Sequence, residues 1–163
     1  MPRFRQLSSY TLLGALGAAI IAYGFQPLSV LVVRDKTTGR ELFTQRISPG
    51  EKFKLTYIHS VEKIRVTGIF TVDKDNAIIL LETYFPSHGI GLPHQARPDK
   101  SGQLALKGIN EPRKLSFFSL SMNDYRLVLR EHEVRLSVPE RDGHIIEILG
   151  KGRARIVWII GKV

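Results

Sequence analysis

At 163 residues, with no cysteine and a formal net charge of +9, the chain has room for one domain with a sizeable core and none for a second of ordinary size. Disulfides and zinc–thiolate sites are excluded outright. The positive balance suits anionic lipid or an acidic partner, but Lys and Arg are scattered from Lys52 to Arg155, without aromatic platforms or zinc spacing, so nucleic acid is not expected.

Arg3 and Arg5 precede an uncharged, Gly- and Ala-rich run from Leu12 to Phe25, which reads as a targeting segment. Ala22-Tyr23-Gly24 offers small residues for cleavage. Pro27 is followed directly by the apolar Leu28–Val33, which suits a retained anchor instead. The expected organisation is residues 1–27 as signal peptide or membrane anchor and 28–163 as one β-domain. The arginines stay cytoplasmic, and the domain stands periplasmic or extracellular, on the outer side of the cytoplasmic membrane.

The rest reads as strands and turns. Ser29 to Val33 and Glu41 to Ile47 flank a turn at Asp35–Gly39, and Ser48-Pro49-Gly50 ends the pair. From Phe53 the alternation is strict, placing Phe53, Leu55, Tyr57, His59 and Val61 on one face and Lys54, Thr56, Ile58, Ser60 and Glu62 on the other. Ile64 to Val72 and Ala77 to Phe85 follow around a turn at Asp73–Asn76. Residues 88–113, rich in Pro, Gly, Lys and Gln, read as a long surface loop. Strand patterns resume at Leu115–Leu120, Tyr125–Arg130, Val134–Val138, His144–Leu149 and Ala154–Ile160, with a turn at Gly150-Lys151-Gly152. About nine or ten short strands, with no useful helical period after the first segment, predict an all-β fold: a single β-sandwich or flattened barrel behind an N-terminal hydrophobic helix.

Two polar clusters interrupt this pattern, Tyr57-Ile58-His59-Ser60-Val61-Glu62 and Glu82-Thr83-Tyr84-Phe85-Pro86-Ser87-His88-Gly89-Ile90-Gly91-Leu92-Pro93. In this order they resemble the domain of unknown function eighteen-fifty (DUF eighteen-fifty) family. The resemblance implies a small exported protein whose gene lies beside, or is fused to, the membrane subunit of a tripartite ATP-independent periplasmic (TRAP) transporter of the TAXI subclass. The implied partners are a TRAP membrane or solute-binding subunit and the cytoplasmic membrane. Ile58, Arg65, Thr67 and Gly68 depart from residues usual in the family, so no metal is carried over with it.

The candidate ligand-binding residues are Tyr57, His59, Glu62, Glu82, Ser87, His88, Gly89 and Gly91. His59 shares the face of Phe53 and Leu55, which suits either a buried ring tying strands through Glu82 or Ser87, or a ligand-facing group at the sheet end. Ser60 points the other way, so His59 is badly placed to deprotonate it. Gly89 and Gly91 can bring main-chain N–H groups to an anion, or simply turn the chain. No Walker-type loop, dinucleotide fingerprint or nucleophile elbow occurs, and neither cofactor nor catalytic residue is assigned. The expected role is an exported binding or accessory module. A hydrolase or metal-dependent enzyme using His59 with nearby carboxylates, and a structural envelope protein, are the alternatives.

Overall fold

Val, Ile, Leu and Phe recur at every second position along much of the chain. The backbone answers with eleven strands among the residues that the computed structural model describes, 3–87, 89 and 93–160. The chain begins with α1 (Arg3–Gly24). The strands are β1 (Pro27–Asp35), β2 (Glu41–Arg46), β3 (Lys52–Ile58), β4 (Arg65–Val72), β5 (Ile78–Phe85), β6 (Arg97–Pro98), β7 (Leu104–Pro112), β8 (Leu115–Phe118), β9 (Arg126–Leu129), β10 (His132–Arg135) and β11 (Ile145–Ala154), and α2 (Arg155–Ile160) follows.

Contacts divide the chain into two units, one of residues 29–151 and one made of both chain ends, 1–28 and 152–163. The larger unit holds two antiparallel sheets, ordered β2-β1-β11-β8 and β10-β9-β3-β4-β5-β7-β6. Neither closes on itself, so the flattened barrel is not formed. Both sheets contribute to one apolar cluster: Leu31, Val33, Ile146 and Ile148 from the first, and Phe53, Leu55, Phe70, Leu127 and Leu129 from the second. Phe53 stacks on Phe70 with ring centroids 5.4 Å apart. Burying each such side chain contributes about 1.5–3 kcal/mol. Val66, Phe85 and Ala96 form a smaller cluster.

Three expectations fail for local reasons. Part of the supposed loop at 88–113 is β7, paired along β5 from Phe85↔Leu104 to Ile79↔Pro112. Its alternation is broken at Gly108 and Asn110, whose φ angles of 70° and 50° interrupt the pleat. Gly150-Lys151-Gly152 is no turn, because β11 runs through it. Gly150 is needed there for close approach: a Cβ would lie 2.3 Å from the carbonyl oxygen of Asn76. Third, Arg155–Ile160 is helix α2 and not a strand; a short apolar run carries no period that separates the two.

In the terminal unit, the Arg155 N–H donates to the Gln26 carbonyl at 3.0 Å, and the Arg155 guanidinium lies 3.8 Å from the Tyr23 ring centroid. Among the described residues no helix is long and apolar enough to cross a membrane.

One polar knot ties the first sheet. Asp35 Oδ1 accepts the N–H groups of Thr37 and Thr38, at 2.9 and 3.1 Å, while Oδ2 lies 2.8 Å from His144 Nδ1. Thr37 Oγ1 in turn accepts the Ile145 N–H. The β1–β2 turn is thereby fastened to the start of β11. Burial of the Asp35 carboxyl raises its pKa, but the hydrogen bonds from His144 and Thr38 outweigh that and lower it from 3.8 to about 2. A folded-state pKa below the unfolded one contributes stability that is complete above about pH 5 and is lost as the pH falls toward 2. Denaturant unfolding at stepped pH is expected to show the wild type losing about 2 kcal/mol more than Asp35→Asn over that interval; parallel curves for the two proteins would refute the assignment.

Candidate functional site

Tyr57 lies on the inward face of β3, where its ring stacks on Tyr125 at 5.1 Å, and Tyr125 stacks on Phe117 at 3.7 Å. Burial raises the pKa of the Tyr57 hydroxyl, and burial together with the Tyr57 charge pushes that of Tyr125 up to about 12. Both phenols stay protonated at neutral pH. Tyr57 is thus part of an aromatic column at the sheet end.

His59 lies one residue beyond β3, half-buried, so the strand alternation that set it among core residues does not apply. Its N–H donates to the Ile64 carbonyl at 2.8 Å, and its carbonyl accepts the Lys63 N–H at 2.9 Å. The Glu62 N–H donates to His59 Nδ1 at 3.2 Å. A ring that accepts at Nδ1 carries the proton of its neutral form on Nε2. His59 therefore caps the β3–β4 turn with its own ring, in place of the expected tie to Glu82 or Ser87.

The turn brings the two sequence clusters together at one point. A Cβ on Gly89 would lie 2.6 Å from Glu62 Cδ and 2.9 Å from its Oε2. A side chain here would have to displace the Glu62 carboxylate, so the carboxylate beside Gly89 is the chain's own. Ser87 is exposed nearby in sequence, and His88 and Gly91 lie outside the described residues.

Glu82 stands apart from this group. It pairs with Ile69 on β4, whereas Tyr57 pairs with Val66, and positions three apart on one strand project to opposite faces. The Tyr84 hydroxyl donates to Glu82 Oε2, Lys52 Nζ lies 3.6 Å from Oε1, and Lys107 Nζ is 5.5 Å from the Tyr84 ring centroid. The Tyr84 hydrogen bond lowers the Glu82 pKa, assisted by both lysines, and the same bond raises that of Tyr84. The candidates thus divide into an inward Tyr57, a turn of His59, Glu62 and Gly89, an outward Glu82 and an exposed Ser87. Among the described residues no three His, Asp or Glu side chains gather as metal ligands.

Sequence reasoning missed the larger recess. Arg113 and Lys114 carry the chain from β7 in one sheet to β8 in the other, and beside this crossover opens a cleft of about 690 Å³. Lys36, Asn76, Arg113, Lys114 and Glu147 bring polar groups to it, against Ile78, Leu115 and Ile148. Glu147 is held by Arg34 at 2.6 Å, and Arg113 bridges to Glu111. Lys36 and Lys114 have no carboxylate partner among the described residues. Asn76 Oδ1 is buried without a hydrogen-bond partner. No local signal could have joined these residues, because only the strand pairing brings them together. A shallower recess of about 410 Å³ lies by Arg97, Asp99 and Lys107.

No curated protein and no solved structure matches this chain. Residues 53–136, just over half of the chain and reaching from the start of β3 to just past β10, match the family described as Domain of unknown function (DUF1850), and the chain belongs to that family.

Proposed function

We propose that this is an exported or membrane-anchored binding module, a β-sandwich that takes a small organic anion in the crossover cleft and serves as accessory to a TRAP-type solute transporter on the outer side of the cytoplasmic membrane. The cleft is the observation that carries the binding half. Its rim bears Lys36, Arg113 and Lys114, while Glu147, its one carboxylate, is already engaged by Arg34. Its wall is the apolar surface of Ile78, Leu115 and Ile148. One carboxylate on a short aliphatic body satisfies both, since the cations attract the charge and the wall excludes water from the tail.

The transporter half rests on the resemblance carried by the Tyr57–Glu62 and Glu82–Pro93 clusters, and the location rests on Arg3 and Arg5 ahead of the apolar segment. A hydrolytic role for His59 draws less support, because its Nδ1 is occupied by the backbone turn and Glu82 projects to another face.

Titration of the full chain with hexanoate, and separately with neutral hexanamide, tests the cleft. The acid is expected to bind and the amide to bind at least about tenfold more weakly. Lys36→Gln combined with Lys114→Gln should remove that preference while leaving the melting temperature within a degree or two, as for other surface substitutions. Equal affinities for acid and amide would sink the proposal. The transporter link predicts that the tagged chain, extracted in mild detergent from its native membranes, retains a TRAP membrane or solute-binding subunit; repeated recovery without either subunit would reject it.

A further inference from the structure

From Leu12 onward, helix α1 has no polar face. From Leu12 to Gly24 only Tyr23 carries a polar side-chain group, and Leu12, Leu16, Ile20 and Ile21 are each at least 60% exposed. At the other end of the chain, α2 exposes Val157 at 55% and Ile159 at 58%. Six residues make too short a helix to persist alone in water. This one is seated on α1 and the residues that follow it: its first N–H is bonded to the Gln26 carbonyl, Arg155 covers the Tyr23 ring, and Ile156 packs at Gly24, where a Cβ would stand 3.7 Å from its own Cβ. The two ends of the chain therefore form one apolar element, with the Arg155 guanidinium over the Tyr23 ring and Arg153 and Trp158 close by in sequence.

We propose that α2 is the second half of a membrane-seating element, and that α1 and α2 insert together into a bilayer containing anionic lipid. The proposal rests on the membrane-side reading given above and adds to it a C-terminal segment that no targeting signal would include. An apolar surface that continues around α1 from Leu12 to Ala22 suits a solvent of acyl chains, whereas a protein groove covers a single face. Arg155 stacked on Tyr23 supplies a cation and an amphipathic ring, the pair that settles at the headgroup level, and Arg153 adds charge for anionic lipid. Removing α1 by cleavage after Gly24 would strip Ile156 of its packing partner, so this arrangement calls for a retained α1.

Trp158 is the only tryptophan in the chain, so its fluorescence reports on α2 alone. The full chain is mixed with vesicles of phosphatidylcholine and phosphatidylglycerol and then floated on a density gradient. Co-flotation, a shift of Trp158 emission to shorter wavelength and quenching by bromine-labelled lipid are the expected results. Val157→Ser with Ile159→Ser, both exposed and therefore harmless to folding, is expected to weaken partition roughly tenfold or more. If the protein floats while Trp158 stays as accessible to iodide as in lipid-free buffer, α2 is no part of the anchor, although the membrane reading stands. If the protein fails to float, both fall. Equal partition into pure phosphatidylcholine would overturn the requirement for anionic lipid.

Discussion

Val30, Leu31, Val32 and Val33 are completely buried, and four consecutive buried residues on a strand leave neither of its faces to solvent. The strand that carries them, β1, must sit inside its sheet, flanked by β2 and β11. Much follows from that placement. Leu31 and Val33 complete the cluster that Phe53, Phe70 and Leu127 build from the opposite sheet. Because β11 lies beside β1 and ends at Ala154, the chain leaves its last strand near the point where it entered its first, and Arg155 meets Gln26. Each side chain of the run contributes about 1.5–3 kcal/mol, a large share of the 5–15 kcal/mol by which a domain is usually stable.

Charge is organised around this apolar frame by pairing acids with several bases. Asp124, at a left-handed φ of 43°, lies within 3.3 Å of Arg65, Arg126 and Arg135, and Arg126 reaches on to Glu133. Burial raises the Asp124 pKa, but the hydrogen bonds and charges of these arginines outweigh it and hold the carboxyl below its ordinary value. Arg130 grips Glu51 through both Nε and a terminal nitrogen, a fork geometry that also lowers the Glu51 pKa. Such clusters fix the ends of β3, β4 and β9. Lys36 and Lys114 lie outside them, beside the crossover between the two sheets.

The strands legible in the sequence are those whose alternation is uninterrupted and whose ends carry turn chemistry. β3 and β4 are of this kind, bounded by Ser48-Pro49-Gly50 and Asp73–Asn76, while β1 is marked by its continuous apolar run and the turn at Asp35–Gly39 that leads into β2. β7 was concealed because a left-handed Gly108 and Asn110 split its pattern, and α2 because Ile and Val are as common in strands as in any short buried helix. His59 was misplaced by one residue. The alternation continues through it in sequence, yet the backbone leaves the sheet after Ile58 and the ring turns back to cap the Glu62 N–H. The contact between Glu62 and Gly89 and the residues of the cleft were illegible for a different reason. They depend on strand pairing across tens of residues, which no window of sequence contains.

The conspicuous residues are, in large part, engaged within the fold. Glu62 lies against Gly89, His59 closes its own turn, Glu82 takes the Tyr84 hydroxyl, and Tyr57 fills an aromatic column. A signature made of such residues specifies a scaffold, because each side chain already has its partner when the chain folds. The cleft is built differently. Asn76, Arg113 and Lys114 come from the stretch that matches the family, while Lys36 from the β1–β2 turn and Glu147 from β11 lie on either side of it in sequence. Its cations are spread over a turn and a crossover, which differ in how tightly the sheets constrain them. Such a recess can alter its chemistry without disturbing the strands that form it. Under the proposed anion binding, specificity would be set at the seam between the sheets, where Lys36 and Lys114 border an apolar wall.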